Sequence, residues 1–93
     1  MASPKAKLLY FVAPIYARGE HVIGENAKDD DGKPNMILIP RGAEKKIDGE
    51  VAKDLIIAKQ AIDIQSARPH EIAEAKAFVK ERLAIENPVK KSA

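Results

Sequence analysis

The run MILIPRGAEKKIDGEVAKDLIIAKQAIDI, Met36 to Ile64, decides the fold. It opens on Met36-Ile37-Leu38-Ile39, an apolar run of strand length introduced by Pro34-Asn35 and stopped by Pro40. Pro40-Arg41-Gly42 reads as a turn, in which glycine supplies positive φ without a Cβ clash. Ala43 to Ile47 reads as a polar bridge. Asp48 stands where an N-cap belongs, its carboxylate able to accept from the free amides of a first helical turn, and Glu50 adds negative charge at the same positive end. Val51, Leu55, Ala58 and Ile62 recur at helical spacing, and Ala52 and Ile56 widen the stripe. This predicts a helix from Gly49 to about Gln60. No glycine caps its end. Ala61-Ile62-Asp63-Ile64 alternates and reads as a short closing strand, in preference to a continuation of the helix.

Upstream, Leu8 to Ile15 (LLYFVAPI) carries the aromatic and β-branched residues of a strand. Alternation places Leu8, Tyr10 and Val12 on one face and Leu9, Phe11 and Ala13 on the other. Both sets are apolar, so this strand is expected to be covered on both sides, with pairing weakened at Pro14, which has no N–H to give. Met1 to Lys7 reads as a flexible polar arm. Tyr16 to Lys33 reads as a connector, with turns at Gly19 and Gly24 and a short strand, His21-Val22-Ile23, between them. Asp29-Asp30-Asp31-Gly32 resembles a calcium loop only superficially. The three carboxylates are adjacent, where an EF-hand loop alternates them, and no glutamate closes a loop of the required length. A solvated turn is the expected structure.

Downstream, Gln65 to Arg68 is a break, and Pro69 suits the first position of a helix. That helix should run to about Glu86, before Asn87-Pro88, with Ile72, Ala75, Phe78, Val79 and Leu83, and Ile85 as a further candidate, on its apolar side and Glu74, Lys76, Lys80, Glu81 and Arg82 opposite. Its stripe must be buried, on this domain or on a partner. The expected fold is therefore α+β: a small mixed or antiparallel sheet with one packed helix, plus a C-terminal amphipathic helix. It divides into an arm (1–7), an α+β module (8–64) and a C-terminal helix with a basic tail (65–93).

The 93 residues suffice for one small domain, for which burial against a partner would add stability. The absence of cysteine excludes disulfides, thiolate metal sites and a cysteine nucleophile. His21 and His70 lie in separate polar stretches with no ligand at metal spacing, neither Ser3 nor Ser66 sits in a nucleophile elbow, and no phosphate-binding glycine motif occurs. Neither catalysis nor a metal or other cofactor is expected. The net charge of +2 and the scattered Lys45-Lys46 and Lys90-Lys91 pairs, without an aromatic platform, argue against nucleic acid as the partner. No apolar run approaches the roughly 18–20 residues that span a bilayer, and Leu8–Ile15 is short and broken by Pro14, so no signal peptide and a soluble chain, cytoplasmic at synthesis, are expected.

One pattern extends beyond composition. After the two strands and the Gly42 turn comes Ile47-Asp48-Gly49-Glu50-Val51-Ala52-Lys53-Asp54-Leu55-Ile56, then Ala61-Ile62-Asp63-Ile64. Over Leu8 to Ile64 this resembles the small structural and morphogenesis proteins of tailed bacteriophages and Mu-like prophages. Where those have a glycine near the helix end, this chain has Lys59-Gln60-Ala61. The resemblance implies a non-enzymatic virion protein, a capsid decoration or connector component. It would bind major capsid, tail or connector subunits, or itself in a lattice or ring, through apolar burial. Tyr10, Ile72, Phe78, Val79 and Leu83 are the candidate partner-binding residues. The competing expectation is a small cytoplasmic regulator that dimerises through its last helix and aligns Lys45, Lys46, Lys80 and Arg82 on one face for nucleic acid, or binds another protein.

Overall fold

The strand Lys7–Phe11 (β1) lies at the centre of a three-stranded antiparallel sheet, in a computed structural model that describes residues 5–86. On one side it pairs with Glu44–Ile47 (β4), Leu9 opposite Lys45. On the other it pairs with Ala61–Asp63 (β5), Tyr10 opposite Ile62. Lys7, assigned to the arm on sequence, thus opens the central strand. Residues 1–4 of that arm, the Asn87-Pro88 stop and Lys90-Lys91 lie outside the described residues.

The two-faced apolar pattern of β1 is satisfied as its alternation demands. Leu9 and Phe11 point to one face and pack with Ile47, Ala61 and Ala52, the last on the helix Gly49–Ile57 (α1). Tyr10 points to the other face and packs with Ala75 and Val79 of the helix Pro69–Glu86 (α2), flanked by Val12, Ile62 and Ile64. The sheet is therefore covered by a helix on each side.

The expected Leu8–Ile15 strand stops at Phe11, short of Pro14, and Ile15 opens a different strand, so the segment after the proline is more than a connector. Ile15–Arg18 (β2) pairs antiparallel with Met36–Ile39 (β3) in a separate two-stranded ribbon, Tyr16 opposite Leu38. The inner face of the ribbon (Ala17, Ile39, with Ile15 and Ile37) joins the Leu9–Phe11 core. The intervening chain also differs from expectation. Gly19–His21 forms a single 3-10 turn, and the expected His21–Ile23 strand shrinks to one bridge, Val22 to Ile47, on the outer edge of β4. Gly19 is required there, because a Cβ would stand 2.0 Å from the Asn26 carbonyl oxygen. The polar bridge Ala43–Ile47 proves to be mostly strand. Only Ile47 of its four strand residues is buried, so pairing to β1 overrides a weak local preference.

Helix α1 begins after Asp48 as expected, yet the carboxylate makes no capping hydrogen bond. The residue is held through its backbone instead: its N–H donates to the His21 carbonyl (2.8 Å) and its carbonyl accepts from Ala52 N–H (2.8 Å). The helix stops at Ile57, short of the expected Gln60. Lys59 takes the left-handed conformation (φ 62°) that glycine usually supplies at a helix end, and Gln60 N–H reaches back to the Leu55 carbonyl. The chain can then enter β5, the closing strand preferred on sequence. Gly42 has the positive φ (90°) expected of the turn between β3 and β4.

Candidate functional site: two exposed apolar surfaces

The five residues singled out on sequence separate into two groups. Tyr10 (7% exposed) and Val79 (3%) are core, spent on joining α2 to the sheet. Neither offers a surface to a partner in this structure. Burial pushes the Tyr10 phenol above its ordinary pKa, and Glu44, opposite it on β4, adds to the shift. Ile72 is half-buried. Phe78 (42%) and Leu83 (39%) are exposed, as is Ile85. The stripe of α2 is thus divided: Ala75 and Val79 close the chain's own core, while Phe78 and Leu83 remain outside. Ala73, Ala77 and Ala84 fall off the stripe, so the contrast between the helix faces is weak.

Arg41, in the β3–β4 turn, fixes the far end of α2. Its Nη2 donates to Glu86 Oε2 (2.8 Å), its Nε to Glu86 Oε1 (3.4 Å) and its Nη1 to the Val12 carbonyl. The guanidinium carbon lies 6.0 Å from the Phe78 ring centre, and that of Arg82 lies 5.4 Å from it, both at cation–π range. Phe78 is consequently held by its neighbours although it remains partly open to solvent.

A second surface was not singled out from the sequence. The outer face of the β2–β3 ribbon carries Tyr16, Leu38 and Met36, with Arg18 opposite Met36. Tyr16 and Leu38 form a direct cross-strand pair and Met36 lies two residues along the same face, so the three are neighbours. Each is more than half exposed (69%, 53% and 53%). The signal was present in Met36–Ile39: a run apolar at every position needs cover on both faces, and a two-stranded ribbon with one face on the core provides it on one only.

The charged groups take other roles. Asp29 Oδ1 accepts from the N–H groups of Asp31 and Lys33 (2.9 Å each), so the acidic run is a turn tied by its first carboxylate. Asp63 accepts from the Ser66 hydroxyl and from Gln65 N–H, and lies 3.4 Å from the Lys7 ammonium. Burial alone would raise its pKa; these partners outweigh that and hold it below the usual carboxylate value. Lys45 and Lys46 are consecutive in β4 and so point to opposite faces of the sheet, which rules out the shared basic face of the regulator reading. Among the described residues there is no group of three or more His, Cys, Asp or Glu side chains placed to hold a metal ion, and no helix is long and apolar enough to cross a membrane. No protein-family model, curated protein or solved structure matches the chain.

Proposed function

We propose that this chain is a non-enzymatic structural protein that builds into a multi-subunit assembly, a bacteriophage virion, as a capsid decoration or connector component. The observation that carries the assembly reading is the Tyr16–Leu38–Met36 face, an apolar surface left open on a ribbon whose inner face is already used. The virion reading rests on the resemblance of the Leu8–Ile64 pattern. Size supports repetition over an isolated pair. Three half-exposed large side chains offer about 300–400 Å² per copy, well below the roughly 800 Å² per partner of a stable two-body interface. Such a contact holds when it is repeated around a ring or lattice and the copies reinforce one another.

Light scattering on the purified chain over a concentration series, at low and high salt, tests this. The expected result is association beyond a dimer that persists at high salt and is lost in Leu38→Lys while the circular dichroism is unchanged. A salt-insensitive dimer that survives Leu38→Lys but is lost in Leu83→Asp would replace the proposal with the regulator reading in its protein-binding form.

A further inference from the structure

A groove of about 710 Å³ runs between β5 and α2, away from the ribbon face. Its lining includes the apolar Val12, Ile56, Ile62 and Phe78 and the acidic Asp63, Glu71 and Glu74, with Lys59 as the one basic residue in the lining and the Arg41 and Arg82 guanidiniums beyond it on the Phe78 ring. The geometry points to a binding site for a peptide segment of a partner protein in which apolar residues adjoin lysine or arginine. Such a site serves any assembly, virion or not.

Three features determine the occupant. The groove is open along its length, whereas small-molecule sites enclose most of their ligand. The α2 residues in its wall, Glu71 to Phe78, extend over two turns, about 10 Å at 1.5 Å per residue, which matches three or four residues of extended chain. Charge then selects among peptides. Asp63 is engaged by Lys7 and Ser66, and Glu71 accepts from the Arg68 N–H (2.9 Å), but Glu74 has no ion-pair or hydrogen-bond partner among the described residues. A cationic side chain lying over Glu71 and Glu74, one turn apart, meets both carboxylates while its apolar neighbour enters beside Phe78. An acidic peptide would meet the same carboxylates as repulsion.

The test is fluorescence anisotropy of the full chain with a fluorescein-labelled peptide, Ala-Val-Lys-Lys-Leu-Ala, and a control in which both lysines are glutamate. Saturable binding of the basic peptide is expected. It should weaken at least fivefold in the Glu71→Gln/Glu74→Gln double variant, whose exposed positions leave the fold intact by circular dichroism, and similarly in Phe78→Ala. Failure of the basic peptide to bind, equal binding of the acidic control, or an unchanged affinity in the double variant would each overturn the inference. Because the ribbon face is untouched by these changes, self-association in light scattering stands or falls separately.

Discussion

Replacing Gly42 with alanine tests how α2 is seated on the sheet. Gly42 has a φ of +90°, and a Cβ built there would stand 3.2 Å from Val79 Cγ1 and 4.0 Å from the Tyr10 hydroxyl. Two costs result. Holding a residue with a Cβ in the left-handed region costs about 1–2 kcal/mol. Val79, buried between Tyr10 and Ala75, must also give by a few tenths of an ångström, which adds about 1 kcal/mol of overpacking. Gly24 separates the two terms. Its φ is +91°, and nothing lies within 4 Å of a Cβ built there. Urea unfolding followed by circular dichroism should therefore give Gly24→Ala a loss of about 1–2 kcal/mol and Gly42→Ala about 1 kcal/mol more. A double-mutant cycle sharpens the test. Val79→Ala alone removes two buried methyl groups, worth about 2 kcal/mol, and should cost about 1 kcal/mol less in the Gly42→Ala background, because the crowded side chain is then gone. Equal losses for the two glycine variants, together with strict additivity in the cycle, would show that Val79 does not pack under the turn. The placement of α2 on the Tyr10 face would then be wrong.

Three further outcomes rest on other contacts of the fold. The folded chain holds the Asp63 carboxyl below its ordinary value of 3.8, so it binds a proton less readily there than when unfolded. Its stabilising contribution is complete above about pH 4 and is lost as pH falls through the lower folded value, so Tm should drop more steeply on acidification in the wild type than in Asp63→Asn, read by melts from pH 5 to pH 2. Arg41→Ala removes a two-pronged ion pair with Glu86 and a hydrogen bond to Val12, and should cost about 1–2 kcal/mol while raising amide exchange in Arg82–Glu86 above that in Ile72–Val79. Leu9→Ala, at a position with no exposure, should cost about 2–4 kcal/mol in chemical denaturation, whereas Leu38→Ala, more than half exposed, should stay within about 0.5 kcal/mol.

How much of this was legible in the sequence depends on where each signal resides. The two faces of β1, the Gly42 turn, the start of α1 and the start of α2 at Pro69 are encoded locally, in alternation, in proline and glycine, and in helical spacing. The strands β2 and β4 are not. Ile15-Tyr16-Ala17-Arg18 is too short to stand out after Pro14, and Glu44-Lys45-Lys46 carries no strand preference; both acquire their conformation from partners distant in sequence. The end of α1 was hidden for a different reason, because Lys59 occupies a conformation that sequence rules reserve for glycine. On the candidate surfaces, helical spacing identified Phe78 and Leu83 but did not distinguish them from Val79, whose burial depends on which side of α2 meets Tyr10. The ribbon face required knowledge of a pairing that no local pattern announces.

That pairing bears on whether the exposed apolar side chains have a role. Single exposed hydrophobic residues are ordinary on any small protein. Tyr16, Leu38 and Met36 are not single, and their grouping follows from register. A slip of one residue in β3 would turn Leu38 inward and Ile39 outward. The observed register instead buries Ile39 completely and places the longer Met36 and Leu38 side chains on the open side. Charged residues make up 32% of the chain, yet none interrupts Met36–Ile39, and only Arg18 faces outward from β2. An apolar face on a two-stranded ribbon invites uncontrolled pairing, a hazard usually blunted by charge on the strand. Here the solvent side is left apolar although the inner side alone would satisfy the core. Folding of the isolated chain gives no account of that choice, whereas the proposed contact with a neighbouring subunit would. This is why Leu38→Lys, a change expected to leave the core untouched, is the variant that separates folding from assembly.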